Sequence, residues 1–269
     1  MKKIDADKKF DKQLLKSAQI RSDSRTKSAA NFTVTISVII PTLNESARIS
    51  ALLGALQNQT LASHQIIVCD GGSDDDTREK VRLYSGVLLM ECPRGTARQR
   101  NHGAQKASSE LLVWMDADCL PDEKFLEEVA RSYQHFQFAV ACPWFHARDS
   151  GFAVRAIYFG FNVLFWLGQS WLRTGSGVCL IAPREVFEQI GGFDENLHLG
   201  EDVQFLRRAA RCGWHRHLFV PLETSGRRFR EKGALKLVLF YARIAPLILF
   251  GRWKDLQKLK YEAAPYDDK

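Results

Sequence analysis

The sequence lacks the features that would place it in several common classes. It has no C-x-x-C pair, no internal repeat and no uninterrupted apolar run of the length that crosses a membrane, for which about 20 residues are needed. It also lacks the interleaved aromatic and basic residues, or the recognition-helix motif, of a nucleic-acid-binding protein. We therefore expect neither a nucleic-acid partner nor a membrane-spanning chain.

Secretion is not expected either. Residues 1–32 are polar, basic and rich in Lys and Ser, without the apolar core of a signal peptide, and we interpret them as a flexible basic tail. The six cysteines are widely spread, and several lie in apolar strand-like runs, which indicates free, buried thiols in a reducing cytoplasm. They are Cys69, Cys92, Cys119, Cys142, Cys179 and Cys212.

Length and charge leave a few broad options. The 269 residues, of which 45% are hydrophobic, suffice for one large α/β domain or two small ones, and we expect one. The net charge of +7 suits an anionic partner, such as a nucleotide diphosphate or an anionic bilayer, without choosing between them.

Short β-branched runs alternate with helical periodicity from Val34 onward, which predicts parallel strands joined by crossover helices. The loops that follow such strands share one edge of the sheet, where open α/β sheets bind ligands. The predicted strands are 34–40, ended by Pro41, then 65–69, 87–91, 111–115, 138–143 and 178–182. The predicted helices are 45–57, 97–107, a short one from Pro183, and 201–212.

One acidic triplet follows the fourth of these strands. In an extended segment, residues two apart point to the same side, so Asp116 and Asp118 would present two carboxylates together while Ala117 faces away. Two hard oxygen ligands suit Mg²⁺ or Mn²⁺. Alone, such a triplet is equally typical of a surface turn or a helix cap.

The motifs around this triplet resemble the inverting glycosyltransferases of family 2, in order as well as in spacing. The resemblance covers about residues 34–230 and implies a GT-A fold: an α/β, Rossmann-like and mostly parallel sheet flanked by helices, with a less regular acceptor-binding second half and a C-terminal apolar helix. It is carried by IIPTLNE at 39–45, DGGS at 70–73 with Asp76 and Thr77, MDAD at 115–118, GGFDE at 191–195 and GED at 200–202.

Three segments follow from this resemblance. The basic tail occupies 1–32, the GT-A domain 33–230, and a helical extension 231–269. Within the domain, 33–120 would bind the nucleotide sugar and 121–230 would form the acceptor side. The donor would be a UDP-, GDP- or dTDP-sugar, with Asp118 as the direct ligand of the cation and Asp116 shared between ribose and metal.

The resemblance also implies which loops hold the base and the ribose. Carboxylate oxygens can accept hydrogen bonds from a uracil or guanine N–H or from ribose hydroxyls. The alternatives are a charge in the first turn of a helix for Glu45 and a turn-forming role for Asp70. The predicted contacts are Pro41, Thr42, Asn44, Glu45, Asp70 and Gly71.

Several arginines are candidates for contacts to phosphate or acceptor. Arg94, Arg98 and Arg100 precede the acidic triplet, where a guanidinium can bind a diphosphate in bidentate fashion. Residues 98 and 100 lie about 200° apart on a helix, so one should face solvent, and the resemblance favours Arg100 as the contact. Either Arg227 or Arg228 clamps phosphate, or both line a basic surface.

Segment 224–229, TSGRRF, stands where processive family members carry Gln-x-x-Arg-Trp. It has no corresponding glutamine and Phe replaces Trp, which indicates non-processive transfer.

Glu201 and Asp202 resemble the family's acidic pair near the acceptor, of which one carboxylate is the general base. We favour Asp202, because a carboxylate of ordinary pKa is ionised at neutral pH and can take the proton of the acceptor hydroxyl. The alternative is a pair of charges at a helix N-terminus. The implied reaction is one in-line displacement with inversion. A protein of different class, a non-catalytic nucleotide-sugar binder or membrane-associated scaffold, is the competing hypothesis.

Two apolar stretches, 156–168 and 234–251, need a separate interpretation. The first is too short to span a bilayer, and two charges and a proline interrupt the second. They either pack against the core or a second subunit, or lie in the membrane interface. In the second case the protein sits at the cytoplasmic face of an anionic membrane and a lipid-linked acceptor is expected. The basic residues available for headgroups are Lys236, Arg243, Arg252 and Lys254.

Overall fold

The computed structural model describes residues 34–148, 150–227, 229 and 233–259. The predictions for the tail 1–32 and for Arg228 lie outside these residues. The described strands are β1 (Ile36–Thr42), β2 (Gln65–Asp70), β3 (Val87–Glu91), β4 (Leu111–Met115), β5 (Leu120–Pro121), β6 (Val140–Arg148), β7 (Cys179–Pro183) and β8 (His215–Ser225). The described helices are α1 (Ile49–Gln57), α2 (Thr77–Arg82), α3 (Thr96–Lys106), α4 (Phe125–Phe136), α5 (Phe152–Gly168), α6 (Arg184–Ile190), α7 (Glu201–Ala209), α8 (Ala234–Leu249) and α9 (Trp253–Leu256).

The strands form one sheet in the order β3-β2-β1-β4-β7-β6-β8-β5. The first four strands are parallel to one another, as crossover helices require. In the second half β7 runs antiparallel between β4 and β6, while β8 is parallel to β6 and antiparallel to β5. The predicted α/β sheet flanked by helices is confirmed, and its parallel character is concentrated in the first half.

Helix α3 packs unusually close to the first two strands. A Cβ on Gly103 would lie 2.4 Å from Ile39 Cγ2 and 2.9 Å from Cys69 Sγ, so a side chain there would push the helix off the sheet. Trp114 of β4 donates its indole N–H to the Arg100 carbonyl at 3.1 Å. These contacts fix α3, and with it the side chain of Arg100, over the carboxyl ends of β1 and β4.

An aromatic cluster fills the core on this side of the sheet. The Trp114 ring meets Phe193 and Phe205 edge-on, each with centroids 5.2 Å apart, and Phe193 stacks on Phe205 at 4.0 Å. Phe205 is fully buried. The cluster joins β4 to α7 and to the loop that precedes α7. Glu201 and Asp202 at the start of α7 therefore lie on the same side as Asp116 and Asp118, which follow β4.

Helix α5 is joined to the sheet by a buried polar network. The Asn162 amide donates to the Phe145 carbonyl at 2.7 Å, and His217 Nε2 lies 3.0 Å from Asn162 Oδ1. Because that oxygen can only accept, His217 carries its proton on Nε2. Burial lowers the pKa of His217 to about 3, so the ring is neutral at physiological pH.

Several predicted boundaries were wrong. Pro41 does not end β1: the pairing with β4 stops at Ile39, and beyond it the strand continues on the β2 side alone. Helix α1 begins at Ile49 rather than 45, and α7 ends at Ala209 rather than 212. Cys212 is exposed, whereas the other five cysteines are buried as predicted.

The two apolar stretches form α5 and α8, which pack together beside β6. Within the described part of the chain, neither helix, nor any other, has the length and apolar character needed to cross a bilayer. Both leave large apolar side chains exposed, namely Phe152, Phe159, Leu164, Leu167, Leu235, Leu239 and Leu249, followed by Phe250 after the end of α8.

Candidate functional site

The turn after β2 is built around the buried carboxylate of Asp70. Its Oδ2 accepts hydrogen bonds from the backbone N–H of Gly72 at 3.1 Å and of Ser73 at 2.9 Å, and its Oδ1 accepts from the hydroxyls of Ser73 and Thr42. These are the bonds of a turn-forming aspartate. The carboxylate shapes the loop, while Gly71 is fixed by its N–H bond to the Thr42 carbonyl at 2.9 Å.

The loop after β1 is bound to that turn. Asn44 has a φ of 54°, a left-handed conformation that Asn tolerates. Its N–H donates to Ser73 Oγ at 2.9 Å, and its Oδ1 accepts from the Asp74 N–H at 2.8 Å. The Glu45 N–H donates to Thr77 Oγ1 at 2.8 Å. The two predicted base and ribose loops therefore form one rigid rim at the carboxyl edge of the sheet.

Glu45 faces the acidic triplet rather than the first turn of a helix. Burial, helped by the nearby Asp118 carboxylate, raises the pKa of Glu45 to about 7 against the opposing charges of Arg227 and Arg48. Its carboxylate lies 3.7 Å from the Arg227 guanidinium and 3.2 Å from that of Arg48. Glu45 thus links the first loop to the segment that follows β8.

Asp116 and Asp118 lie in a turn, not in an extended segment. The Cys119 N–H donates to the Asp116 carbonyl at 3.1 Å, which closes the turn, and the Asp116 N–H donates to the Val178 carbonyl at 2.9 Å. Ala117 is buried and both aspartates are partly exposed, as predicted. Thr224 of β8 donates to Asp118 Oδ1 at 3.2 Å, so the β5–β8 pairing brings β8 to the acidic triplet.

Arg100 is the residue on which the two acidic segments converge. Its side chain is 3% exposed and its two terminal nitrogens lie 3.1 Å from Asp116 Oδ1 and 3.3 Å from Glu201 Oε1. It also donates to the Gly177 carbonyl at 2.8 Å. Burial acts to lower the pKa of Arg100, but the surrounding carboxylates outweigh it and raise the pKa. The guanidinium thus faces the carboxylates of both acidic segments, and its predicted contact to a diphosphate stays a prediction.

Glu201 and Asp202 begin α7 and differ in their surroundings. Glu201 points to Arg100, and burial together with the Asp202 charge raises the pKa of Glu201 to about 7. Asp202 is partly exposed, and its Oδ1 accepts the Val203 N–H at 2.7 Å. A Cβ on Gly177 would lie 2.0 Å from Asp202 Oδ2, so the glycine leaves room for this carboxylate.

The remaining predicted arginines are spread around the site. Arg98 is exposed and lies 3.8 Å from Glu195, whereas Arg100 is buried, which confirms that the two face opposite ways. Arg94 is exposed in the loop between β3 and α3. Arg227 is buried against Glu45.

The acidic triplet offers a donor set that fits a divalent cation only in part. Among the described residues, no group of three or more His, Cys, Asp or Glu side chains is arranged to hold a metal ion. Mg²⁺ commonly takes one or two protein carboxylates and completes its shell with water and substrate phosphates. Asp116 and Asp118, both partly exposed, supply that number of carboxylates.

Sequence reasoning missed several residues that shape the site. Gln99 donates to the carbonyls of Thr42 and Cys69, each at 2.7 Å, and so ties α3 to the ends of β1 and β2. Asn101 exchanges two hydrogen bonds with the Phe193 backbone at 2.8 and 2.9 Å. The sequence offered one signal for Gln99 and Asn101, because they flank Arg100 on a helix that was predicted to lie at the ligand-binding edge. Such a helix needs polar side chains that hydrogen-bond the loops at that edge.

Comparison with known proteins agrees with this geometry. Residues 37–191, more than half of the chain, match the family model described as glycosyl transferase family 2. That span contains the acidic triplet and Arg100 but ends before Glu201 and Asp202.

Individual relatives and structures match as well. Glycosyltransferase AglE of Haloferax volcanii is 28% identical over 189 residues, which cover 66% of this chain and 62% of the relative. The chain thus matches less than two thirds of that relative's length. The UDP-Glc:alpha-D-GlcNAc-diphosphoundecaprenol beta-1,3-glucosyltransferase WfgD of Escherichia coli is 34% identical over 87 residues, 31% of this chain and 34% of the relative. The mannosyltransferase PcManGT from Pyrobaculum calidifontis, solved with GDP-Man and Mn²⁺, aligns with a TM-score of 0.63 and 21% identity over 96% of this chain and 74% of its own. This similarity confirms the fold.

Proposed function

The chain belongs to glycosyl transferase family 2, and from this membership we propose that it transfers a sugar from a nucleotide-diphosphate donor to an acceptor hydroxyl, with inversion and without processivity. One observation carries the proposal: Arg100 holds Asp116 and Glu201 against a single guanidinium. The acidic triplet of the donor side and the acidic pair of the acceptor side therefore share one site.

The donor would bind along the rim formed by the loops after β1 and β2. Thr42, Asn44 and Gly71 shape that rim through their backbone bonds, and Pro41 lies beside it in the last residues of β1. Glu45 remains our candidate for a base or ribose contact, because its carboxylate faces the site. Asp70 would act through the turn that it builds.

Asp118 would be the direct ligand of a Mg²⁺ or Mn²⁺ ion, with Asp116 shared between the ion and the ribose. A bound cation would supply the Lewis-acid chemistry that neutralises charge on the departing diphosphate. Arg227 lies beside Glu45, whose carboxylate is also influenced by the charge of Asp118, and we propose Arg227 as a diphosphate contact. Arg94 and Arg98 remain candidates for outer contacts to donor or acceptor.

Asp202 would be the general base. Its carboxylate is partly exposed at the start of α7, whereas Glu201 is committed to Arg100. Asp202 takes the proton of the acceptor hydroxyl as that oxygen attacks the anomeric carbon, and the nucleotide diphosphate leaves from the opposite face. The new bond forms on the side opposite to the broken one, so the anomeric configuration inverts.

The relatives suggest donor and acceptor classes. WfgD is named for a UDP-sugar donor and a diphosphoundecaprenol acceptor, and PcManGT was solved with GDP-Man. We propose a UDP- or GDP-sugar donor and a lipid-linked acceptor for this chain. The exposed apolar side chains of α5 and α8, together with the basic Lys236, Arg243, Arg252 and Lys254, fit peripheral binding to the cytoplasmic face of an anionic membrane.

The test combines binding with transfer. A thermal-shift panel of UDP-, GDP- and dTDP-sugars, with and without Mn²⁺, should identify one nucleotide with a metal-dependent shift. With that donor, Asp118→Asn should lose both the shift and transfer, whereas Asp202→Asn should lose transfer and keep the shift. A variant that retains transfer would show that the substituted residue does not have the proposed role. A shift without any transfer by the unaltered chain would favour the non-catalytic scaffold.

A further inference from the structure

The C-terminal segment is bound to the loop that leads into α7. The His198 N–H donates to Gln257 Oε1 at 2.6 Å, and Gln257 Nε2 donates to the Leu199 carbonyl at 2.9 Å. The side-chain amide of Gln257 thus hydrogen-bonds the backbone of two consecutive residues of the loop. Glu201 follows Leu199 by two positions, so this contact fixes the backbone just before the acidic pair.

Apolar packing at Gly200 strengthens the same contact. Gly200 has a φ of 80°, and a Cβ there would lie 2.8 Å from Leu256 Cδ2 and 3.4 Å from Trp253 Cζ3. Leu256 is fully buried. The glycine therefore serves both the left-handed turn and the close approach of α9 to the residue before Glu201.

The other end of α7 is bound to the same C-terminal segment. The Arg207 guanidinium donates to the carbonyls of Ile248 and Leu249, the latter at 3.3 Å, at the end of α8. It also lies 5.9 Å from the ring centre of Trp253. A cation there satisfies carbonyls that a helix end leaves without partners. Helix α7 is thus held by residues 248–257 at its beginning and near its end.

We propose that Gln257, with Leu256 and Trp253, positions the N-terminus of α7 and so sets the orientation of Glu201 and Asp202 for transfer. This inference rests on the proposed function. The rest of α7 does not depend on Gln257, because Phe205 and Leu206 are fully buried in the core. The Arg207 contacts to the end of α8 are also independent of that side chain. Loss of the Gln257 contact should therefore release the first turn while the donor rim, built from β1 and β2, keeps its shape.

The decisive variant is Gln257→Ala in the full chain, with Lys258→Ala as its matched control. Lys258 is the next residue, is exposed, and pairs with Asp255 at 2.9 Å. A misplacement of about 1 Å at a reacting group costs on the order of 100-fold in rate. We expect Gln257→Ala to lower kcat for transfer by 10- to 100-fold and to leave the Kd of UDP and GDP with Mn²⁺ unchanged. Lys258→Ala should match the unaltered chain.

Two further measurements separate positioning from a general loss of structure. The ratio of sugar transfer to donor hydrolysis should fall in Gln257→Ala, because water can approach in several orientations, whereas a bound acceptor hydroxyl meets Asp202 in one. Gln257→Glu, which can still accept from the His198 N–H, should recover part of kcat. An unchanged kcat in Gln257→Ala would overturn the proposal, as would parallel losses in kcat and nucleotide affinity. Absence of transfer by the unaltered chain would instead refute the proposed function.

Discussion

Gly177 offers a way to disturb the proposed base without removing any chemical group. It lies just before β7, and a Cβ on it would sit 2.0 Å from Oδ2, 2.7 Å from Cγ and 2.8 Å from Cβ of Asp202. Rotation about the side-chain bonds of Asp202 moves its oxygens but not its Cβ, so rotation alone cannot relieve the overlap. Gly177→Ala must therefore move either the start of α7 or the segment before β7.

The size of the effect follows from those distances. The shift needed to restore normal contacts is about 1 Å, which costs on the order of 100-fold in kcat for a group that must meet a reacting proton. Overpacking of this kind lowers the free energy of unfolding by roughly 1–3 kcal/mol. The loops after β1 and β2 belong to other strands, so nucleotide affinity should change little if the start of α7 moves. It should fall if the segment before β7 moves instead, because the carbonyls of Gly177 and Val178 accept hydrogen bonds from Arg100 and from the Asp116 N–H.

Steady-state transfer assays and nucleotide titration measure the two quantities directly. Gly54→Ala is the matched control, because it lies in α1 with open space around a new Cβ. That variant should keep kcat and gain slightly in stability, since alanine favours a helix. A Gly177→Ala protein with unaltered kcat and unaltered nucleotide affinity would refute the assignment of Asp202 as the group that takes the proton.

Three other outcomes are expected. Arg100→Met leaves the carboxylates of Asp116 and Glu201 without their shared cation, so urea denaturation should show a loss of about 3–5 kcal/mol; a stable variant would contradict the bridging role. Burial lowers the pKa of His217 from 6.5 to about 3, so between these two pH values the unfolded chain binds a proton at this ring and the folded chain does not. The free energy of unfolding therefore falls as the pH decreases from 6.5 to 4, and His217→Gln should make this fall shallower by about 1.4 kcal/mol per pH unit. Equal slopes for the two proteins would show that the ring is exposed to water in the folded chain. Leu239→Glu, in the exposed face of α8, should reduce co-sedimentation with anionic vesicles at low salt, and equal binding by both proteins would exclude that face as the contact.

The first half of the fold was predictable because its strands are short apolar runs between turn residues. The period of those runs located β2, β3 and β4 to within one residue. The same reasoning misjudged Pro41, since it assumed pairing on both sides of β1. It also treated Asp116 and Asp118 as extended, whereas a turn gives them their common exposure.

The second half depended on contacts that a linear sequence does not contain. Nothing in the sequence indicates that β7 runs antiparallel beside β4, or that Gly177 lies against Asp202. Arg100 was predicted to contact the diphosphate because it precedes the acidic triplet and because the family resemblance favours it. Its partner Glu201 lies 101 positions away. The two are brought together by the packing of Phe193 and Phe205 on Trp114 and by the Asn101 bonds to the Phe193 backbone.

The place of β7 in the sheet has a consequence for synthesis of the chain. Strand β4 is wholly apolar and fully buried, and its second edge is covered by residues 179–183, which are made more than 60 positions later. At about 5–20 residues per second, a ribosome leaves that edge open for several seconds. The unpaired backbone groups along an open apolar strand edge can hydrogen-bond to strands of other chains. Nascent chains stalled between 120 and 178 should therefore depend on chaperones and aggregate when released.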